Sequence, residues 1–94
     1  MRHANYGNAD RNQHAIVDAL RKVGATVAIT SGVGDGFPDL VVGAHGRTLL
    51  IEVKSGRALL NERESRWHRE WKGRPVVVVR NVSDALRAIG VEDD

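Results

Sequence analysis

Three charged residues fall where two strands would be expected to carry apolar ones. The run Leu49-Leu50-Ile51-Glu52-Val53-Lys54 is rich in β-forming residues. Side chains on a strand alternate between its faces, so Leu50, Glu52 and Lys54 share one side and Leu49, Ile51 and Val53 the other. A second β-rich run, residues 38–43, precedes it, and Ala44-His45-Gly46-Arg47 between them is a hairpin signal with Gly46 in the turn. If the chain turns at His45-Gly46 with Ala44 opposite Arg47, Gly43 faces Thr48, Val41 faces Leu50 and Asp39 faces Glu52. A bulge in the turn would move Asp39 away. Directly opposed residues have Cβ atoms about 5 Å apart. Two carboxylates held that close repel, so one takes up a proton or a cation sits between them. A hard divalent cation with oxygen ligands is the usual answer. Lys54 adds an amine on the same face.

These groups need a scaffold. From Arg11 to Val23 the residues Ile16, Val17, Leu20 and Val23 recur at helical spacing, with Asp10 a suitable N-cap and Gly24 a suitable residue past the C-terminus. Residues 25–29 read as a short strand, and 30–37 as a loop carrying Gly32, Gly34 and Gly36. Asn61 opens a second helix, running to about Lys72 and closed by Gly73. Val76 to Val79 shows no alternation and is expected to be central and buried on both faces. Ser83 caps a last short helix through Ile89, ended by Gly90. The first ten residues read as a loose polar terminus, and Glu92 to Asp94 as an acidic tail. The order αβββαβα predicts one α/β domain, a central mixed sheet with helices on both faces. Each long helix carries a polar residue in its apolar stripe, Gln13 in the first and Glu64, beside Trp67 and Trp71, in the second. Either is a satisfied polar group at the core's edge or a part of the site.

With 94 residues the chain makes one small domain, residues 1–94. Apolar residues at 41% against 28% charged exclude a disordered chain. The absence of cysteine removes disulfides, thiolate nucleophiles and Cys-based zinc sites. Lys and Arg number 14 against 12 Asp and Glu, a net +2 that permits a nucleic-acid partner without requiring one. No apolar run is long enough for a membrane span, and Arg2 is followed by His3, Asn5 and Asn8 rather than an apolar segment, so a cytoplasmic protein is the expectation. Gly32-Val33-Gly34-Asp35-Gly36 lacks the Gly-Lys-Ser/Thr ending of a phosphate loop and leads into a strand, so it reads as a flexible turn or as a loop that contacts DNA near Asp39. His3, His14, His45 and His68 show no zinc spacing and are expected at the surface. Trp67 and Trp71 could stack on bases, but their i, i+4 spacing reads first as core.

Pro38-Asp39 followed by Glu52-Val53-Lys54 resembles the PD-(D/E)XK nuclease signature. Over roughly residues 10 to 88 the chain resembles, more narrowly, the virus-type replication-repair nuclease (VRR-NUC) family. The likeness takes in Asn12-Gln13 opening a helix, Phe37-Pro38-Asp39-Leu40, Leu50 to Lys54, Glu64 followed by Trp67, and Val76 to Arg80. Two departures stand out: family members often carry a Glu near Gln13, and commonly a Gln where Glu64 stands. The resemblance implies a PD-(D/E)XK restriction-endonuclease-like core and a metal-dependent endodeoxyribonuclease. Asp39 and Glu52, with the backbone carbonyl of Val53, would hold Mg²⁺ or Mn²⁺, and Lys54 would act on the water or the phosphate. Glu64 and Gln13 would align Lys54 or a metal-bound water. Free-standing members tend to be homodimers that cut branched DNA, including four-way junctions, so the resemblance implies a substrate such as a four-way junction or a flap, in a bacterial or phage-infected cell. Arg57, Arg63, Arg74 and Arg80, in loops or at element ends, are the candidates for DNA contact, while Arg66 and Arg69 read as a solvated helix face. A catalytically inactive DNA-binding module that keeps the fold is the alternative, and a sequence-specific restriction-type nuclease a third reading.

Overall fold

In the computed structural model, which describes the backbone of residues 3–91 and the side chains of residues 9–91, the chain is organised around a hairpin. His45 and Gly46 both adopt positive φ, 54° and 76°. A two-residue turn of that kind matches the right-handed twist of the strands it joins. It connects β2 (Leu40–Ala44) to β3 (Arg47–Val53) in the expected register: Ala44 pairs with Arg47, Gly43 with Thr48 and Val41 with Leu50. β1 (Thr26–Ile29) adds antiparallel to β2, and β4 (Val77–Val79) adds parallel to β3. The result is a four-stranded mixed sheet in the order β1-β2-β3-β4. The helices are α1 (His3–Lys22), α2 (Glu62–Glu70) and α3 (Val82–Ala88).

The sheet's two sides differ as the period-two pattern dictates. Val27, Leu40, Val42, Leu49, Ile51 and Val79 are buried together with Ile16, Val17 and Leu20 of α1 and with Ala85 and Ile89 at the C-terminal end. Full burial of each large aliphatic side chain contributes about 1.5–3 kcal/mol. α1 and α3 pack against one another over this face. The opposite side carries Val41, Leu50 and Glu52. No helix among the described residues is long and apolar enough to cross a membrane.

Several local expectations are corrected. α1 begins at His3, so residues 3–10 are helical rather than loose and Asp10 is not a cap. No proline interrupts the segment, and Gly7 in a helix costs only about 1 kcal/mol. The tail Glu92 to Asp94 lies outside the described residues. β4 is an edge strand, with Val77 and Val78 only half-buried. A short valine run reads alike whether it has one neighbour or two. α3 is capped by Asn81, whose side chain accepts the Asp84 N–H at 2.7 Å, rather than by Ser83. α2 ends at Trp71, in extended backbone, before reaching Gly73.

The largest correction concerns α2 itself. None of its residues is buried, and Trp71 is 42% exposed. Trp67 and Trp71 therefore stand outside the core. The helix is docked instead through the glycine loop. Gly36 has a φ of 84°, and a Cβ placed on it would collide with the backbone carbonyl of Arg63. Gly36→Ala should consequently cost roughly 1–3 kcal/mol in a urea unfolding curve, through the strained φ and the displaced helix. Gly34→Ala, where a Cβ meets open space, serves as the control, and equal losses would remove the docking argument.

Candidate functional site

β2 and β3 position the site. Asp39 stands one residue before β2, where Thr30 N–H donates to its carbonyl at 2.7 Å and Thr30 Oγ1 donates to the Pro38 carbonyl at 2.8 Å. Its carboxylate Oδ2 accepts the Val53 N–H at 2.9 Å. That bond places the acid against the Glu52-Val53 peptide, where the extended hairpin register would put it. Glu52 and Lys54 share a side of the strand, and Lys54 Nζ lies 3.7 Å from Glu52 Oε2.

Glu52 is the unusual residue. It is 2% exposed, and its Oε1 accepts no hydrogen bond from any described residue. Its pKa is pushed up to about 9: burial is the largest cause, the charges of Asp39 and Glu64 add to it, and Lys54 opposes it. A buried acid with one oxygen unsatisfied is costly unless a proton or a cation answers it. Every donor at this point is a hard oxygen: the Asp39 carboxylate, the Glu52 carboxylate and the Val53 carbonyl. No group of three or more His, Cys, Asp or Glu side chains placed to hold a metal occurs among the described residues. A two-carboxylate set still suits Mg²⁺, which retains several waters and commonly uses only one or two carboxylates.

α2 brings Glu64 to the same place. Lys54 Nζ lies 2.8 Å from Glu64 Oε1, and that same oxygen accepts the Asn61 N–H at 2.9 Å while Asn61 Oδ1 accepts the Glu64 N–H at 2.8 Å. This reciprocal pair starts the helix. Burial alone would raise the Glu64 pKa, but the Lys54 ammonium and the Asn61 N–H outweigh it and hold it low. Glu64 thus aligns Lys54 directly. Gln13 does not: its amide donates to Ser31 Oγ at 3.4 Å, and it reaches the site only as part of the wall. An open cleft of about 370 Å³ is lined by Gln13, Asp39, Glu52, Val53, Lys54 and Glu64 together, with Asp10 and Ser31 beside them. All five side chains expected at the site therefore meet in one cleft.

Sequence reasoning missed two residues. Asn12 Nδ2 donates to the carbonyls of Lys54 and Arg80 and to Ser55 Oγ, at 3.2–3.3 Å, tying α1 to the ends of β3 and β4. Its signal was available, since Asn12 lies four residues before the buried Ile16 on the same helix face. His68, expected at the surface, is half-buried, and its Nε2 is sealed without a hydrogen-bond partner among the described residues. Burial lowers its pKa, aided by Lys54 and opposed by Glu64.

The arginines divide. Arg80 Nη1 donates to the carbonyls of Gly56 and Ala58 at 3.0 and 2.7 Å, so it holds the loop after β3 rather than standing ready for a phosphate. Arg63 pairs with Asp35 at 3.6 Å across two exposed side chains, a contact worth little in water. Arg57 and Arg74 are exposed. Comparison with protein-family models, with curated proteins and with solved structures returns no match.

Proposed function

We propose that this chain is a metal-dependent endonuclease with a PD-(D/E)XK core of the VRR-NUC kind, hydrolysing phosphodiester bonds in DNA. The observation that carries the reading is Glu52, a sealed carboxylate with one unanswered oxygen, faced by Asp39 and flanked by Lys54 in an open cleft. Asp39, Glu52 and the Val53 carbonyl would hold Mg²⁺ or Mn²⁺, which would supply relief of charge on the phosphate and a more acidic water there. Lys54, fixed by Glu64, stabilises the negative charge that develops on the phosphate or orients the water. Gln13 shapes the mouth of the cleft. Arg57, Arg63 and Arg74 hold the flanking backbone, which makes binding salt-dependent rather than base-specific. A homodimer would present two such clefts to a symmetric four-way junction, in the cytoplasm of a bacterial or phage-infected cell.

The test is a gel assay with labelled four-way junction, flap and linear duplex, in Mg²⁺, Mn²⁺ or EDTA, beside a solution mass measurement. Cleavage is expected with either metal and not in EDTA, and Asp39→Ala should reduce it at least about a hundredfold. Tight DNA binding without cleavage under every condition would instead make the chain an inactive accessory module.

A further inference from the structure

α2 delivers Glu64 into the cleft and, three residues on, carries the half-buried Trp67, with Trp71 following as the cap just past the helix's last residue. An α-helix rises about 1.5 Å per residue, so the indoles lie within roughly 5–10 Å of the cleft along the axis. The rings stack at 4.9 Å between centroids with planes 18° apart, and Phe37 meets Trp67 edge-on at 5.1 Å. Trp71 Nε1 donates to the Arg74 carbonyl at 3.0 Å, which fixes that ring and satisfies its one polar group. Part of the ring lies over Gly73, where an added Cβ would come within 2.8 Å of it, and part is stacked on Trp67, yet Trp71 stays 42% exposed, and that remaining ring surface is what it has to offer. Two further clefts adjoin the pair. One of about 310 Å³ is lined by Asp35, Arg63, Arg66, Trp67 and Glu70, and one of about 170 Å³ by Trp67, Glu70 and Trp71.

Resting on the nuclease reading above, we infer that the Trp67–Trp71 pair stacks an unpaired nucleobase of the strand whose phosphate occupies the Glu52 cleft. Charge selects this occupant. From Glu62 to Arg74 the cations are Arg63, Arg66, Arg69, Lys72 and Arg74, against Glu62 and Glu70 and the Asp35 that pairs with Arg63, because Glu64 is turned inward onto Lys54. A second copy of the chain seated here would have to desolvate that excess of like charge. A flexible strand brings phosphates to the arginines and a planar face to the indoles, the combination used to grip single strands. Bases inside a duplex have both faces covered by their neighbours and cannot use it. The platform therefore selects substrates with unpaired nucleotides beside the cut, such as flaps and opened junctions.

Wild type, Trp71→Ala and Trp71→Phe would be compared on a flap and on a fully paired duplex in Mn²⁺. Quenching of tryptophan fluorescence by oligo-dT would be followed separately in EDTA. The flap-over-duplex preference in kcat/KM should fall about tenfold in Trp71→Ala and return largely in Trp71→Phe, with oligo-dT affinity following the same order. An unchanged preference with unchanged oligo-dT affinity would overturn the platform. So would a wild-type dimer that Trp71→Ala converts to monomer, because the pair would then face a second copy. If the wild type cuts nothing in Mn²⁺, it is the nuclease reading that fails, and oligo-dT quenching still decides the platform by itself.

Discussion

Glu52→Gln is expected to reduce metal-dependent cleavage at least about a thousandfold while making the metal-free protein more stable at pH 8. The two effects have one cause. Glu52 is 2% exposed with an unpartnered oxygen, and its pKa in the fold is about 9 against an ordinary 4.5. For an acid raised in this way, the folded chain binds the proton more tightly than the unfolded chain. The contribution to stability is complete below about 4.5 and is lost as the pH rises toward 9. Glutamine mimics the protonated acid and has no such loss. Urea unfolding at pH 5, 7 and 9 should show the wild type falling relative to Glu52→Gln by on the order of 2–4 kcal/mol over that range. Mn²⁺ should restore the wild type at pH 8 and do little for the variant, since a ligand that binds only the folded state stabilises by mass action. Parallel stability curves for the two proteins from pH 5 to 9, or retained cleavage by the variant, would contradict the assignment.

Lys54→Met should produce the second large effect, reducing cleavage by about 10²–10³-fold and destabilising the fold by roughly 2–4 kcal/mol. The ammonium lies 3.7 Å from Glu52 and 2.8 Å from Glu64, and all three side chains are mostly shielded from water. Methionine keeps the stem and deletes the charge, leaving the shielded Glu64 carboxylate beside the protonated Glu52 with no cation to answer it. The double variant Lys54→Met/Glu64→Gln removes that uncompensated charge. It should regain most of the stability and none of the activity, and the difference measures the coupling of the pair. Simple additivity of the two substitutions in unfolding experiments would show that the ammonium is not shared.

What could be read from the sequence was what local chemistry decides. The His45-Gly46 turn and the alternation from Leu49 to Lys54 are short-range signals, and together they set the register that brings Asp39 to Glu52. The α/β class and the mixed sheet follow from the same patterns. What escaped depends on what lies across the chain. Trp67 and Trp71 have the spacing of a core stripe, yet the core is closed by α1 and α3 against the sheet and α2 contributes no buried residue to it. An arginine at a strand end can fork onto a phosphate or onto a carbonyl, and only the position of the Gly56 to Ala58 loop decides for Arg80. Val77 and Val78 gave no sign that β4 has a single neighbour.

Glu64 Oε1 receives both the Asn61 N–H that begins α2 and the Lys54 amine. The first turn of a helix and the aim of a cleft-lining cation are therefore one mechanical unit. Lengthening or shortening the chain between Lys54 and Asn61 would rotate both at once, so this connection has little freedom to drift in length, although most of it is exposed to solvent.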